Sequence, residues 1–139
     1  MKKLLIIAAI LSAILLIAMP SAAQTWHTAN QATLAWDPVA RIEPTDAIQY
    51  QVYSMPAAGG AAQKVGAEIA ATQLTASFQQ EGRYWLGVQS VRYPQGETAG
   101  IPSASISWSS DPAVCQGGAA FGVVYYTAPG NAGGLRLNN

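Results

Sequence analysis

The sequence predicts an all-β protein: an antiparallel β-sandwich of about seven strands, with an N-terminal signal helix and a C-terminal extension that has one possible extra strand. Two observations predict this class. Beyond residue 23, apolar residues recur at every second position in short runs, which is the period of a strand with one buried face. Turn residues separate the runs at short intervals, which indicates hairpins rather than strands alternating with helices.

The first 23 residues have the order of a secretory signal peptide. Lys2 and Lys3 form a basic start, the run 4–19 is apolar apart from Ser12, and Ser21-Ala22-Ala23 supplies small residues. We expect cleavage after Ala23, because this run of sixteen residues falls short of the roughly 20 that a membrane span needs. An uncleaved anchor helix is the alternative, and it would be the chain's only route to a membrane. The mature protein is then secreted or periplasmic.

The sandwich is expected within residues 24–111. The first run ends at Asp37-Pro38, the third follows the hairpin turn Gly59-Gly60, and the fifth is the longest. A stretch near Trp26 can supply one more edge strand. The six runs are 32–36, 48–53, 63–69, 74–78, 84–90 and 104–108, and 63–69 is the weakest of them.

The large residues of these runs are expected to form the core. Trp36, Tyr50 and Tyr84 are placed inward with their aliphatic neighbours. Ala104, Ile106 and Trp108 alternate in the last of the runs. Residues 112–139 form a Gly-rich extension with a candidate strand at 120–127. This strand is expected either to fold back and pair with the edge of the preceding strand, or to join the edge of another protein. The fold-back is favoured because an exposed strand of this kind aggregates. The final residues, 131–139, are expected to be disordered.

Several segments match a known family in order and spacing. Leu34-Ala35-Trp36-Asp37-Pro38 precedes Tyr50-Gln51-Val52-Tyr53, and Phe78 stands six residues before the Tyr84 that opens a long alternating run. From about residue 30 to 109 the chain resembles a fibronectin type III domain. The resemblance implies a sandwich in which Tyr84 buries its ring and sends its hydroxyl back to a main-chain group.

The chain also departs from the pattern of that family. Phe78 stands where leucine is more usual, and Gln79-Gln80-Glu81-Gly82 replaces the usual Pro-Gly turn. The Arg-Gly-Asp triplet is absent from the sequence, so integrin binding is not implied.

Composition excludes several function classes. The chain has seven Lys plus Arg and seven Asp plus Glu; without Lys2 and Lys3 the count is five against seven, a formal charge of −2. The mature chain therefore lacks the basic patch that nucleic acid requires. With one histidine, His27, and one cysteine, Cys115, the sequence has no set of zinc ligands. We predict no metal, no cofactor and no enzymatic activity.

Candidate binding residues lie on loops and on outer strand faces. The loops 37–46 and 92–100 are expected to meet at one end of the sandwich, together with the loop before Leu74. Trp85 falls between inward Tyr84 and Leu86, so it is expected on the outer face of its sheet, where Tyr53 shares that face. Such a pair either binds a ligand or only stiffens the sheet, and the structural role is favoured. The candidate surface comprises Arg41, Glu43, Tyr53, Trp85, Arg92, Tyr93 and Glu97.

The sequence therefore predicts an exported, non-catalytic module that acts by surface contact with protein partners. One alternative is a carbohydrate-binding module that uses Trp85 and Tyr53. Another is a subunit of a cell-surface or appendage assembly, or a homo-oligomer, joined through the C-terminal strand or an intermolecular disulfide at Cys115. A free thiol at Cys115 is favoured over the disulfide.

Overall fold

The structure, a computed structural model, describes residues 23–128. The expected signal helix and the expected disorder of residues 131–139 lie outside this range. Within it, no helix is long and apolar enough to cross a bilayer. The strands are β1 Thr25–Thr28, β2 Gln31–Ala35, β3 Ala47–Pro56, β4 Gln63–Ile69, β5 Gln73–Ser77, β6 Gly82–Tyr93, β7 Ile101–Pro102, β8 Ser107–Trp108 and β9 Phe121–Tyr125.

These strands form two sheets, and the prediction of an all-β sandwich is confirmed. The larger sheet has the order β1-β9-β6-β3-β4, and β7 and β8 also pair with β6; the smaller sheet contains β2 and β5. Every pairing is antiparallel except that of β1 with β9, which is parallel. The sequence did not indicate this parallel pair.

Strands β3 and β6 form the centre of the larger sheet. Their register runs without a break from Ala47 opposite Tyr93 to Pro56 opposite Tyr84. Alternation along both strands places Tyr50, Val52 and Leu86 on the inner face, where each is almost fully buried. This register defines the two ends of the sandwich. We call the end at which Tyr93 lies the first end, and the end at which Tyr84 lies the second end.

The core lies between β2 and β5 on one side and β3, β6 and β9 on the other. Its buried members are Leu34, Val52, Ala76, Phe78, Leu86 and Val123. Trp36 is half-buried against this cluster, with its ring edge-on to Tyr50 at a centroid distance of 5.4 Å. The expected inward positions of Trp36, Tyr50 and Leu86 are therefore found.

Tyr84 ties the second end of the sandwich together. Its hydroxyl donates a 2.8 Å hydrogen bond to the carbonyl of Gln80, and its ring lies 4.9 Å from that of Phe78. The ring thus packs on the core cluster while the hydroxyl fixes the turn from β5 to β6. This is the bond to a main-chain group that was expected of Tyr84.

The segment that carries β7 and β8 corrects one expectation. Trp108 pairs with Gly87, whose neighbours are the outward-facing Trp85 and Gln89, so Trp108 and Ile106 lie on the outer face of the larger sheet. The alternate residues of this segment, Ser107 and Ser109, face the interior instead. Gly87 is the physical reason. Because Gly87 has no side chain, the Trp108 indole and the Ile106 side chain can pack directly over its backbone on the outer face.

Strand β9 belongs to the sandwich. It pairs with β1 on one side and with β6 on the other, and Val123 at its centre is only 2% exposed. The candidate strand at 120–127 thus folds back within the chain, although it pairs with β6 rather than with β8. Because both its edges are occupied, it cannot add to another protein without displacing β1 or β6.

Candidate functional site

Two of the predicted loops meet at the first end of the sandwich. Arg92 donates to the Asp46 carboxylate from Nε at 2.7 Å and from Nη2 at 3.2 Å, which joins the end of β6 to the loop before β3. The third segment meets them there, since the Trp36 amide donates to the Thr72 carbonyl. The predicted gathering of loops is observed, but a partly buried ion pair holds two of them together.

Asp46 is the anchor of this end. Its side chain is 1% exposed, and it accepts the Glu43 amide at 2.9 Å in addition to the two bonds from Arg92. The Arg92 hydrogen bond, with the Glu43 amide, holds the pKa of Asp46 below its ordinary value. Arg92 is thus engaged inside the protein, so it offers little free charge to a partner.

The other predicted residues of this end are engaged or scattered. The Tyr93 hydroxyl donates to Glu68 at 2.6 Å, and this bond raises the pKa of Tyr93. Arg41 donates to the Pro44 carbonyl within its own loop. Among the described residues no side-chain bond joins Arg41, Glu43 and Glu97 to one another. These predicted residues therefore contact different parts of the fold and do not form one hydrogen-bonded cluster among the described residues.

The outer face of the larger sheet carries a cluster of large side chains near the second end. Trp85, which was predicted to face outward, does so and is half-buried. Its partner is Trp26 of β1, with ring centroids 4.6 Å apart and ring planes at 36°. The Arg83 guanidinium lies over the Trp26 ring, 5.3 Å from its centroid.

This cluster borders a groove of about 660 Å³, which we call the aromatic groove. Tyr126 contributes a ring that is 59% exposed. Glu81 accepts the Thr127 amide at 2.7 Å, and hydrogen bonds from Thr127 hold the pKa of Glu81 below its ordinary value. The groove thus combines aromatic surface with one cation and one anion. Its lining residues include Gln24, Trp26, Gln80, Glu81, Arg83, Trp85 and Tyr126.

Tyr53, the other predicted outward aromatic, lies elsewhere on the same face. It pairs with Gly87, whereas Met55 pairs with Trp85. Its hydroxyl donates to Gln89 at 3.1 Å. Tyr53 shares the face of Trp85, as expected, but is not its stacking partner.

Sequence reasoning missed Trp26, Arg83 and Tyr126 as members of one site. The available signal was Gly122, a glycine inside an otherwise β-branched and aromatic strand. Such a glycine often marks a close approach of another group, and here the Trp26 indole lies across it. Nothing in the sequence says which residue makes that approach.

Cys115 lies at the side of the sandwich. It is half-buried, and its thiol donates to the carbonyls of Ser109 and Asp111 at 3.4 and 3.2 Å. Burial, and then the Asp111 carboxylate, raise the pKa of Cys115, which keeps the thiol protonated and slow to exchange.

Comparisons with known proteins identify no relative of this chain. No protein-family model, curated protein or solved structure matches this chain. The likeness to fibronectin type III domains remains a resemblance of sequence pattern. In the part of the chain that the structure describes, no three His, Cys, Asp or Glu side chains come close enough to hold a metal ion.

Proposed function

We propose that this chain is exported and acts as a non-catalytic module that binds a protein partner by surface contact at the aromatic groove. The observation that carries this proposal is the cluster of Trp26, Trp85 and Arg83 beside the exposed Tyr126. Trp, Tyr and Arg are the residues most enriched at the energetic centres of protein interfaces. Export is supported by the signal-like order of the first 23 residues.

The charges of the groove favour a peptide or protein surface as partner. Arg83 and Glu81 line the same groove, so it offers a partner one cation and one anion beside apolar rings. Protein surfaces supply both charges next to apolar side chains. The groove is open at the end of the sheet, where the β3–β4 and β5–β6 turns border it.

A role without catalysis is supported by the way in which the charged side chains are used. Asp46 is bonded to Arg92, and Glu68 is bonded to Tyr93. Each of these groups closes a contact within the fold. Catalytic acids and bases, in contrast, face a cleft that a substrate enters.

Carbohydrate binding is the second candidate, and Tyr126 is the observation that favours it. Its exposed ring stands near Gln24 and Gln80, whose amides match sugar hydroxyls. The tryptophans fit sugar stacking less well, because a sugar needs a free ring face. Trp85 is stacked on Trp26, and Arg83 lies over Trp26.

The test is a binding measurement with matched variants. Peptides selected from a display library on the purified protein are titrated against it, with tryptophan fluorescence as readout. We expect Tyr126→Ala and Arg83→Ala each to weaken binding at least tenfold, because both side chains border the groove and neither is buried. Ile42→Ala is the control, since Ile42 is 71% exposed but lies in the loop at the first end.

Two results would count against a protein partner. One is a set of selected peptides whose binding is lost in Ile42→Ala and kept in Tyr126→Ala. The other is a response to a panel of oligosaccharides that Tyr126→Ala abolishes, which would establish the second candidate instead. The melting temperature of each variant separates lost binding from lost folding.

A further inference from the structure

Arg83 lies on the floor of the aromatic groove. Its strand, β6, runs between β3 and β9. On the β9 side Arg83 pairs with Val124, and on the β3 side its carbonyl accepts the Ala57 amide at 2.8 Å. Alternation along β6 places its side chain on the same outer face as that of Trp85. The Arg83 side chain is therefore flanked by the β3–β4 turn on one side and by Tyr126, which follows β9, on the other.

The charge of Arg83 has no partner among residues 23–128. The side chain is exposed, it forms no ion pair with a described carboxylate, and its guanidinium donates no hydrogen bond to a described acceptor. Glu81, the other charged residue that lines the groove, accepts the Thr127 amide at 2.7 Å. Because a guanidinium carries five N–H donors and no acceptor, those of Arg83 are available to an anion that enters the groove.

Trp26 holds this cation in place. The guanidinium lies over the indole ring, 5.3 Å from its centroid, and the ring itself is stacked on Trp85 at 4.6 Å. A guanidinium over an aromatic ring is attracted by the ring and keeps its N–H donors for a ligand. Because its position is set before a partner arrives, less side-chain entropy is lost when a ligand binds. Arg83 is thus a preformed receptor for an anionic group.

A carboxylate is the anion that fits this receptor in a protein partner. The guanidinium fork matches the two oxygens of a carboxylate, which it binds with two parallel hydrogen bonds. The walls beside Arg83 add a second requirement, because Pro56, Ala57 and the exposed Tyr126 ring offer apolar contact. An acidic side chain next to an apolar one satisfies both.

We propose that the partner of the aromatic groove presents an Asp or Glu side chain to Arg83, adjacent to an apolar or aromatic side chain that contacts Tyr126. This inference rests on the proposed function, because it assumes a protein partner at this groove, and it adds the residue that the partner must contain. Glu81 sets the orientation of the partner, since its carboxylate, held by the Thr127 amide, repels a second acidic side chain.

The test is a double-mutant cycle on the purified protein. A display-selected peptide, amidated at its C-terminus so that only side chains supply carboxylates, is titrated against the unchanged protein and Arg83→Gln. The same peptide is then titrated with its acidic residue replaced by the corresponding amide. Each single change should weaken binding about tenfold, and both together should weaken it no further. Binding of the acidic peptide should also weaken as salt rises from about 0.05 M to about 0.5 M.

Tyr126→Ala is the matched comparison. It should weaken the acidic peptide and its amide form by the same factor, because the Tyr126 ring contacts the apolar side chain and not the carboxylate. Selection of a library on Arg83→Glu should enrich peptides with Lys or Arg in place of the acidic residue. The melting temperature of each variant shows that the fold is kept.

The outcomes that overturn the inference are distinct from those that overturn the proposed function. Peptide binding that needs Tyr126 but is unchanged in Arg83→Gln overturns the inference and leaves the proposed function standing. Additive losses in the cycle also overturn it, because the acidic residue then contacts another group. Selected peptides that bind equally well to Tyr126→Ala overturn both. An Arg83-dependent response to oligosaccharides of uronic acids, without one to peptides, also overturns both, because the carboxylate then belongs to a sugar.

Discussion

Trp26 and Trp85 stack with ring centroids 4.6 Å apart although β9 lies between their strands. Gly122 of β9 pairs with Trp26. Because Gly122 has no side chain, the Trp26 indole can lie across it and reach Trp85. The stacking therefore fastens the first strand to the centre of the larger sheet. It also forms one wall of the aromatic groove, so the same contact serves the fold and the proposed site.

Gly122→Ala should break this stacking. A β-carbon at position 122 would occupy the space of the Trp26 ring, and overpacking of this kind costs about 1–3 kcal/mol. Urea denaturation measures the loss in the free energy of unfolding, and tryptophan fluorescence reports the separation of the rings. The double variant Gly122→Ala with Trp26→Leu should be less sensitive to the added methyl group than the single variant. Equal costs of the methyl group in both backgrounds would argue against the ring contact.

Stability at acid pH should depend on Asp46. Because hydrogen bonds from Arg92 and from the Glu43 amide lower its pKa in the folded protein, the carboxylate stabilises the fold. This contribution is fully present above the unfolded pKa of about 3.9, and it is lost as the pH falls through the lower folded pKa. Asp46→Asn should therefore reduce stability at neutral pH and flatten its decline below about pH 4.

The measurement is the melting temperature from about pH 7 to about pH 2. Asp37→Asn is the control, because the exposed Asp37 carboxylate accepts no hydrogen bond from the described residues. An Asp46→Asn profile parallel to that of the unchanged protein would contradict the assignment.

Ser109 should matter more for stability than its neighbour Ser110. Ser109 is 5% exposed, and its hydroxyl accepts the Leu86 amide at 3.0 Å. Ser109→Ala leaves that buried donor without a partner, which costs about 1–3 kcal/mol. Ser110→Ala, at an exposed position, should change the free energy of unfolding by less than about 0.5 kcal/mol. Chemical denaturation of both variants decides this, and equal stability would show that the Leu86 amide bonds elsewhere.

Cys115 should react slowly with thiol reagents. Burial and the Asp111 carboxylate raise its pKa, so little thiolate is present at neutral pH. The rate of alkylation by iodoacetamide should rise with a midpoint above the roughly 8.5 of an unperturbed thiol. On a non-reducing gel the purified protein should run as a monomer, as Cys115→Ser does. A reducible dimer band absent from Cys115→Ser would instead support assembly through a disulfide.

The predicted strands and their observed positions agree best where the alternation is long. The run 63–69 coincides with β4, and the run that opens at Tyr84 lies within β6. Agreement fails at 104–108, where only Ser107 and Trp108 form a strand and the apolar phase faces outward. Alternation gives two faces but does not say which is inner. Here Gly87 of β6 determines which face is inner, because Ile106 and Trp108 pack over it on the outer face.

The predicted binding residues show the same difference between what the sequence pattern predicts and what tertiary contacts decide. Trp85 was placed on the outer face because its neighbours Tyr84 and Leu86 are apolar and inward, and this holds. Arg92 and Tyr93 were offered to a partner, whereas Asp46 and Glu68 bind them within the fold. Sequence identifies a polar side chain on a loop, but its availability depends on the residue that lies opposite.

The amino-acid sequence by itself determined the all-β class, the position of most strands and the inward phase of the central ones. These follow from the period of two and from turn residues, which are local properties of the chain. Tertiary structure alone decided the parallel pairing of β1 with β9 and the stacking of Trp26 on Trp85. Each of these arises from segments far apart in the chain, where packing and the available space select the partner.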